Sequence, residues 1–108
     1  MRNISIEDTA ISGVKVLRRR QHKDHRGFLE RLFCDEELAG LFVGKKIKQV
    51  NLTNTKLAGS VRGLHFQLPP HCEMKLVSCL RGEVWDVALD LRSGSPTFLQ
   101  YHHELLSG

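Results

Sequence analysis

The run Val61-Arg62-Gly63-Leu64-His65-Phe66-Gln67-Leu68-Pro69-Pro70 sets an arginine and a histidine three residues apart, with a glycine between them and a Pro-Pro pair behind. Proline has no N–H for a sheet ladder, so a strand ending in Pro-Pro leaves its sheet there. A histidine just ahead of that exit is held where it can reach a pocket. An imidazole can take a proton from a substrate and give it back near neutral pH. A second pair of interest is Lys75 and Asp86. A two-residue turn at Arg81-Gly82 would pair Val77 with Asp86 and Lys75 with Ala88. Lys75 and Asp86 then lie diagonally on one face, which makes Asp86 the candidate charge partner of Lys75. Gln49 and Asn51 alternate with Val50 and Leu52, so the two amides project from one strand face.

These residues need elements to carry them, and the pattern supplies mostly strands. Val14 and Val16 open a strand that Asp24-His25-Arg26-Gly27 closes as a turn, and Phe28 to Cys34 forms the next. Asp35 suits the N-cap of one short helix, Glu36 to Phe42, with Glu36 and Glu37 in its first turn. Lys46 to Asn54, Val61 to Gln67, Lys75 to Leu80, Val84 to Leu91 and Thr97 to Leu106 complete the strand set. Trp85, Val87, Leu89 and Leu91 give the strand at 84–91 a core-directed face. Short strands with Gly and Pro punctuation indicate a sandwich or small barrel.

Length and charge set the bounds. At 108 residues the chain holds a single domain, 1–108. A formal charge of +4, spread along the chain, suits an anionic small molecule. Aromatic residues make up 6% of the chain and do not interleave with a basic tract, so a nucleic-acid partner is not expected. No apolar run reaches membrane-spanning length, so no membrane partner is expected either. Cys34, Cys72 and Cys79 are odd in number and lack a CxxC pair, in keeping with a reduced, cytoplasmic protein.

The histidines and cysteines also bear on a metal site. Gly59, His65, Gln67, Glu73 and Gly82 fall in an order similar to the first metal motif of the cupins. That motif needs a second histidine where Gln67 stands, and an amide is a poor ligand for zinc, iron or manganese. His65, His71, Cys72 and Cys79 lack the close pair spacing of a zinc site. The expectation is no metal and no cofactor.

Taken together, several blocks resemble one family. They are Arg26-Gly27-Phe28, Gln49-Val50-Asn51, the run from Arg62 to Pro70, Lys75-Leu76-Val77, the run from Gly82 to Arg92, and Gly94-Ser95-Pro96-Thr97-Phe98. That family is dTDP-4-dehydrorhamnose 3,5-epimerase, a metal-free cupin enzyme of dTDP-L-rhamnose synthesis. The resemblance runs in order from about Arg26 to Phe98 and covers most of the chain.

The resemblance implies an all-β fold, the double-stranded β-helix or cupin jelly roll, here as its N-terminal portion, in a homodimer. It implies an isomerase acting on a dTDP-4-keto-6-deoxyhexose for cell-surface polysaccharide, such as lipopolysaccharide. His65 matches the base that removes the protons at C3 and C5, both α to the ketone. Lys75 matches the cation that stabilises the resulting enolate. Arg26, Gln49, Asn51 and Arg62 match residues that hold the nucleotide, and an arginine fork suits a phosphate.

Two departures stand out. The family often carries a glutamate at the position of Arg31, while Glu30 here is one place early and faces the other way. The family also continues beyond the block that ends at Gly108. That further part carries a carboxylate orienting the histidine, another substrate histidine and a tyrosine acid; Tyr101 lies in the wrong block to replace the last. Three readings follow. The first is a portion of an epimerase acting at C3 and C5, or at a single carbon. The second is a chain that binds a dTDP-sugar without turnover, and the third a metal-dependent cupin, against which Gln67 argues.

Overall fold

The computed structural model describes residues 2–108, and within them six strands pair as three separate antiparallel hairpins. Strand β1 (Ile4–Asp8) pairs with β2 (Lys15–Arg19), and β3 (Gln21–Asp24) with β4 (Gly27–Glu30). The third hairpin joins β5 (Glu83–Leu89) to β6 (Tyr101–Ser107).

Local chemistry explains each hairpin. Ile4 and Ile6 alternating with polar Ser5 and Glu7 give β1 one half-buried face, and its far end is tied to β2 by the Lys15–Asp8 ion pair. Thr9 Oγ1 closes the connection by donating to the Val14 carbonyl at 2.8 Å and accepting from the Ile11 amide at 3.2 Å. The β3–β4 turn is the tight one expected, with Asp24 opposite Gly27 and only His25-Arg26 between them. Gly27 has φ +142°, a conformation that favours glycine there.

The β5–β6 hairpin is closed by a long connection folded around Asp90, whose side chain is fully buried. Its carboxylate accepts from the Arg92 amide at 2.9 Å and from the Arg92 guanidinium at 3.0 and 3.1 Å. It also accepts from Ser95 Oγ at 2.6 Å and Thr97 Oγ1 at 2.7 Å. Five donors on two oxygens stabilise the charged form, and with the Arg92 contact foremost they hold this carboxyl far below the usual range. Leu99, at φ +65°, then returns its amide to the Asp90 carbonyl at 2.8 Å.

Only Ile4, Ile11 and Leu38 are buried apolar side chains among the described residues. Glu37 links this small core to the segment at 34–42. Its Oε1 accepts from the Asn3 and Ile4 amides at 2.6 and 3.1 Å, and its Oε2 meets Arg31 Nη1 at 3.0 Å.

Several expectations need correction. No helix forms at Glu36 to Phe42; the segment is a series of turns, with isolated bonds from Leu38 N to the Cys34 carbonyl and from Phe42 N to the Leu38 carbonyl. Seven residues with Gly40 inside cannot offset helix nucleation, and Glu37 is diverted to the β1 amides. The strand expected from Phe28 to Cys34 stops at Glu30. Lys46 to Asn54, Val61 to Gln67 and Lys75 to Leu80 are unpaired. The hairpin expected about Arg81-Gly82 is absent, because β5 pairs with β6 instead. The face of Trp85, Val87, Leu89 and Leu91 is apolar, yet Trp85 is 61% exposed and lies against His103 with ring centroids 4.6 Å apart.

Candidate active site

The candidate site residues stand on four segments. Arg26 sits in the β3–β4 turn, where Asp24 orients it. Asp24 Oδ1 accepts from the Arg26 amide at 2.8 Å, and Oδ2 takes the guanidinium Nη2 at 2.7 Å. The guanidinium contact is the main reason the Asp24 carboxyl lies below its ordinary range. Arg26 is thus pre-set at a turn tip, with most of its side chain in solvent.

Gln49 and Asn51 lie on the extended stretch after Lys45, and both are exposed. Arg62 and His65 lie on the next extended stretch and are exposed as well. Between them the chain turns at Gly63, whose φ of +102° favours glycine. The His65 ring lies so close that a β-carbon on Gly63 would stand 3.2 Å from Nδ1. The exit behind His65 forms an open depression lined by Phe66, Gln67, Leu68, Pro69 and His71, pinned by the His71 amide on the Leu68 carbonyl at 2.8 Å.

Lys75 pairs with Glu73, Nζ to Oε1 at 3.3 Å, and not with Asp86. The diagonal Lys75–Asp86 pair required the hairpin at Arg81-Gly82, which does not form. Asp86 instead faces Glu104 across β5 and β6, with His102 Nε2 3.0 Å from the Glu104 carboxylate. Among the described residues no hydrogen bond or ion pair joins any two of Arg26, Gln49, Asn51, Arg62, His65 and Lys75. Among the described residues the segments carrying them share no ladder.

The Asp90 network and the Glu37 link escaped sequence reasoning. The alternation of polar residues in Asp90-x-Arg92-x-x-Ser95-x-Thr97 was the available signal for the first. For the second there was none, since it joins residues more than thirty apart. Arg31, which stands where a glutamate was expected, is occupied by Glu37, so its cation is partly neutralised.

Comparison with known proteins places this arrangement. The family model for dTDP-4-dehydrorhamnose 3,5-epimerase matches residues 8–108. The enzyme of that description from Sinorhizobium fredii is 39% identical over 92 residues, covering 85% of this chain and 47% of its own length. The Shigella flexneri enzyme is 38% identical over 96 residues, 88% of this chain and 52% of its own. A dTDP-4-dehydrorhamnose 3-epimerase from Streptomyces niveus is 39% identical over 89 residues, 82% of this chain and 42% of its own. The chain spans about half the length of the curated relatives it matches.

Among solved structures, dTDP-4-dehydrorhamnose 3,5-epimerase from Bacillus anthracis, with TDP and pyrophosphate bound, superposes with a TM-score of 0.89 at 36% identity. The match covers 96% of this chain and 59% of that one. The Elizabethkingia anophelis enzyme gives 0.84 at 32% identity, covering 98% of this chain and 58% of its own. The backbone course is therefore that of the cupin-like epimerase fold, including the stretches that here lack ladder partners.

Proposed function

This chain belongs to the dTDP-4-dehydrorhamnose 3,5-epimerase family, and from that premise we propose that its protein epimerises a dTDP-4-keto-6-deoxyhexose at C3 and C5. The observation that carries the reading is the family match over residues 8–108, which contains the Arg62–Pro70 run intact.

In this reading His65 removes the proton at C3 or C5. Each proton is acidified by the C4 ketone, and its removal places negative charge on the carbonyl oxygen. Lys75 stabilises that enolate; it must turn from Glu73 to do so, and an exposed ion pair is weak enough to yield. A single preorganised donor of this kind contributes roughly 3–4 kcal/mol to such a step. Return of a proton from the opposite ring face inverts the carbon. Arg26 and Arg62 take the diphosphate, and Gln49 and Asn51 the nucleoside. The 1–108 segment acts as one domain of a cytoplasmic homodimer and uses no cofactor.

A second reading, epimerisation at one carbon, is favoured by the 39% identity to the Streptomyces niveus 3-epimerase. Incubation with dTDP-4-keto-6-deoxyglucose in D2O, followed by NMR, separates them. Deuterium entering both C3 and C5 faster than in buffer, and not in His65→Ala, supports the first reading. Entry at C3 alone supports the second. Binding with no exchange overturns both and leaves a sugar-nucleotide-binding protein.

A further inference from the structure

Arg19 ends β2, where the ladder sets it opposite Ile4, a fully buried core residue. From that root its guanidinium spans two distant segments. Nε and Nη2 donate to the Leu32 carbonyl at 3.2 and 3.0 Å, and Nη2 also donates to Ser78 Oγ at 2.7 Å. Leu32 follows Arg31, which pairs with Glu37, and Glu37 in turn accepts from the Asn3 and Ile4 amides. Ser78 lies three residues after Lys75. Residues 73–80 form no strand and, among the described residues, make no backbone–backbone hydrogen bond. The Arg19–Ser78 bond thus ties the stretch carrying Lys75 to the core around Ile4 and Leu38, across 59 positions of sequence.

We propose that Arg19 is a positioning residue for Lys75: it fixes the chain at Ser78 and so sets where the lysine stands for the enolate. This rests on the enolate-stabilising role proposed for Lys75. Arg19 acts through that lysine and meets no reacting atom itself. A guanidinium suits the task, because its planar donors are fixed relative to one another and hold a carbonyl and a hydroxyl at once. An ammonium is a point charge on a flexible stem and sets no such geometry. The contact that Lys75 makes itself does not replace the bond. Its Nζ meets Glu73, two residues away on the same stretch, so that pair moves with the stretch. Placement matters here because a preorganised cation helps only where the charge develops.

The test is a double-mutant cycle on deuterium uptake at C3 and C5 from dTDP-4-keto-6-deoxyglucose in D2O. Arg19→Met is expected to lower kcat about tenfold with KM nearly unchanged, as a lysine displaced by a fraction of an ångström would. Ser78→Ala leaves the Leu32 bonds in place and is expected to lower kcat in the same sense, which answers the question even where Arg19→Met does not fold. In a Lys75→Met background neither substitution is expected to lower kcat further, because residues acting as a unit are not additive. Additive losses, or a loss confined to KM, overturn the proposal. A second readout needs no turnover. Cys79 is half-buried beside Ser78, and its alkylation is expected to quicken several-fold in both variants relative to the exposed Cys72. An unchanged Cys79 rate overturns the proposal even where the unaltered protein epimerises. No deuterium uptake by the unaltered protein sinks the epimerase reading and with it the role at Lys75, while the Cys79 rate separately decides whether Arg19 holds the stretch.

Discussion

The His65 imidazole lies over Gly63, with Nδ1 3.2 Å and the backbone nitrogen 3.4 Å from the point a β-carbon would occupy. The glycine serves both its own φ of +102° and the ring beside it. Gly63→Ala is therefore expected to push the imidazole aside without touching a strand. A shift of a few tenths of an ångström there, against on the order of a hundredfold for a displacement of about 1 Å, should lower deuterium exchange at C3 and C5 by up to about tenfold. Circular dichroism should be unchanged.

Lys75→Met tests the enolate-stabilising role. Loss of one preorganised donor lowers such steps roughly 100- to 1,000-fold, and deuterium exchange should drop by that order while dTDP binding, measured by calorimetry, is retained. Equal losses in exchange and affinity would assign Lys75 to binding instead.

The Asp90 carboxyl gives a signed pH dependence. Its folded-state pKa is depressed well below the ordinary carboxylate range, chiefly by the Arg92 hydrogen bond. The stabilisation is therefore complete above about pH 4 and is lost as pH falls towards the folded value. Thermal melts from pH 5 to pH 2 should show Tm falling, and Asp90→Asn should have a lower Tm at pH 5 with a shallower fall in acid. A parallel shift of the whole curve would remove Asp90 from the acid response.

Leu99 is a bulky residue at φ +65°, where side chains are crowded and glycine is not. The hydrogen bond that its amide N–H donates to the Asp90 carbonyl holds it there. Leu99→Gly should stabilise the chain by about 0.5–1 kcal/mol once the entropy of glycine is subtracted, read as a higher urea midpoint.

Leu38 and Ile4 are fully buried, and little else is. Leu38→Ala should cost about 2–4 kcal/mol in urea unfolding, a large share of a small domain's stability.

What could be read from sequence was local. The Asp24–Gly27 turn and strands near 83–89 and 101–107 follow from alternation and glycine placement, and the family blocks gave the fold class that the structural matches bear out. Pairing was not local. Gly82 does have the positive φ of a turn, at +81°, yet β5 turns to β6 across the Asp90 corner, and that choice took Asp86 away from Lys75. The strand β1 was missed because its partner lies beyond an irregular connection. The helix at 36–42 failed because Glu37 had better partners in the Asn3 and Ile4 amides. Alternation at 46–54 and 61–67 suggested strands that do not form there, because alternation cannot name the neighbour.

The separation into three hairpins also sets an order of assembly during synthesis. Each pairs residues near one another in the chain, so contact order is low and closure is fast. The hairpins at Ile4–Arg19 and Gln21–Glu30 can close before the stretch from 46 to 80 has emerged from the ribosome. The stretch from 46 to 80 then leaves the ribosome with no ladder partner already formed. It is the nascent segment most exposed to chaperones and proteases, and it carries His65 and Lys75.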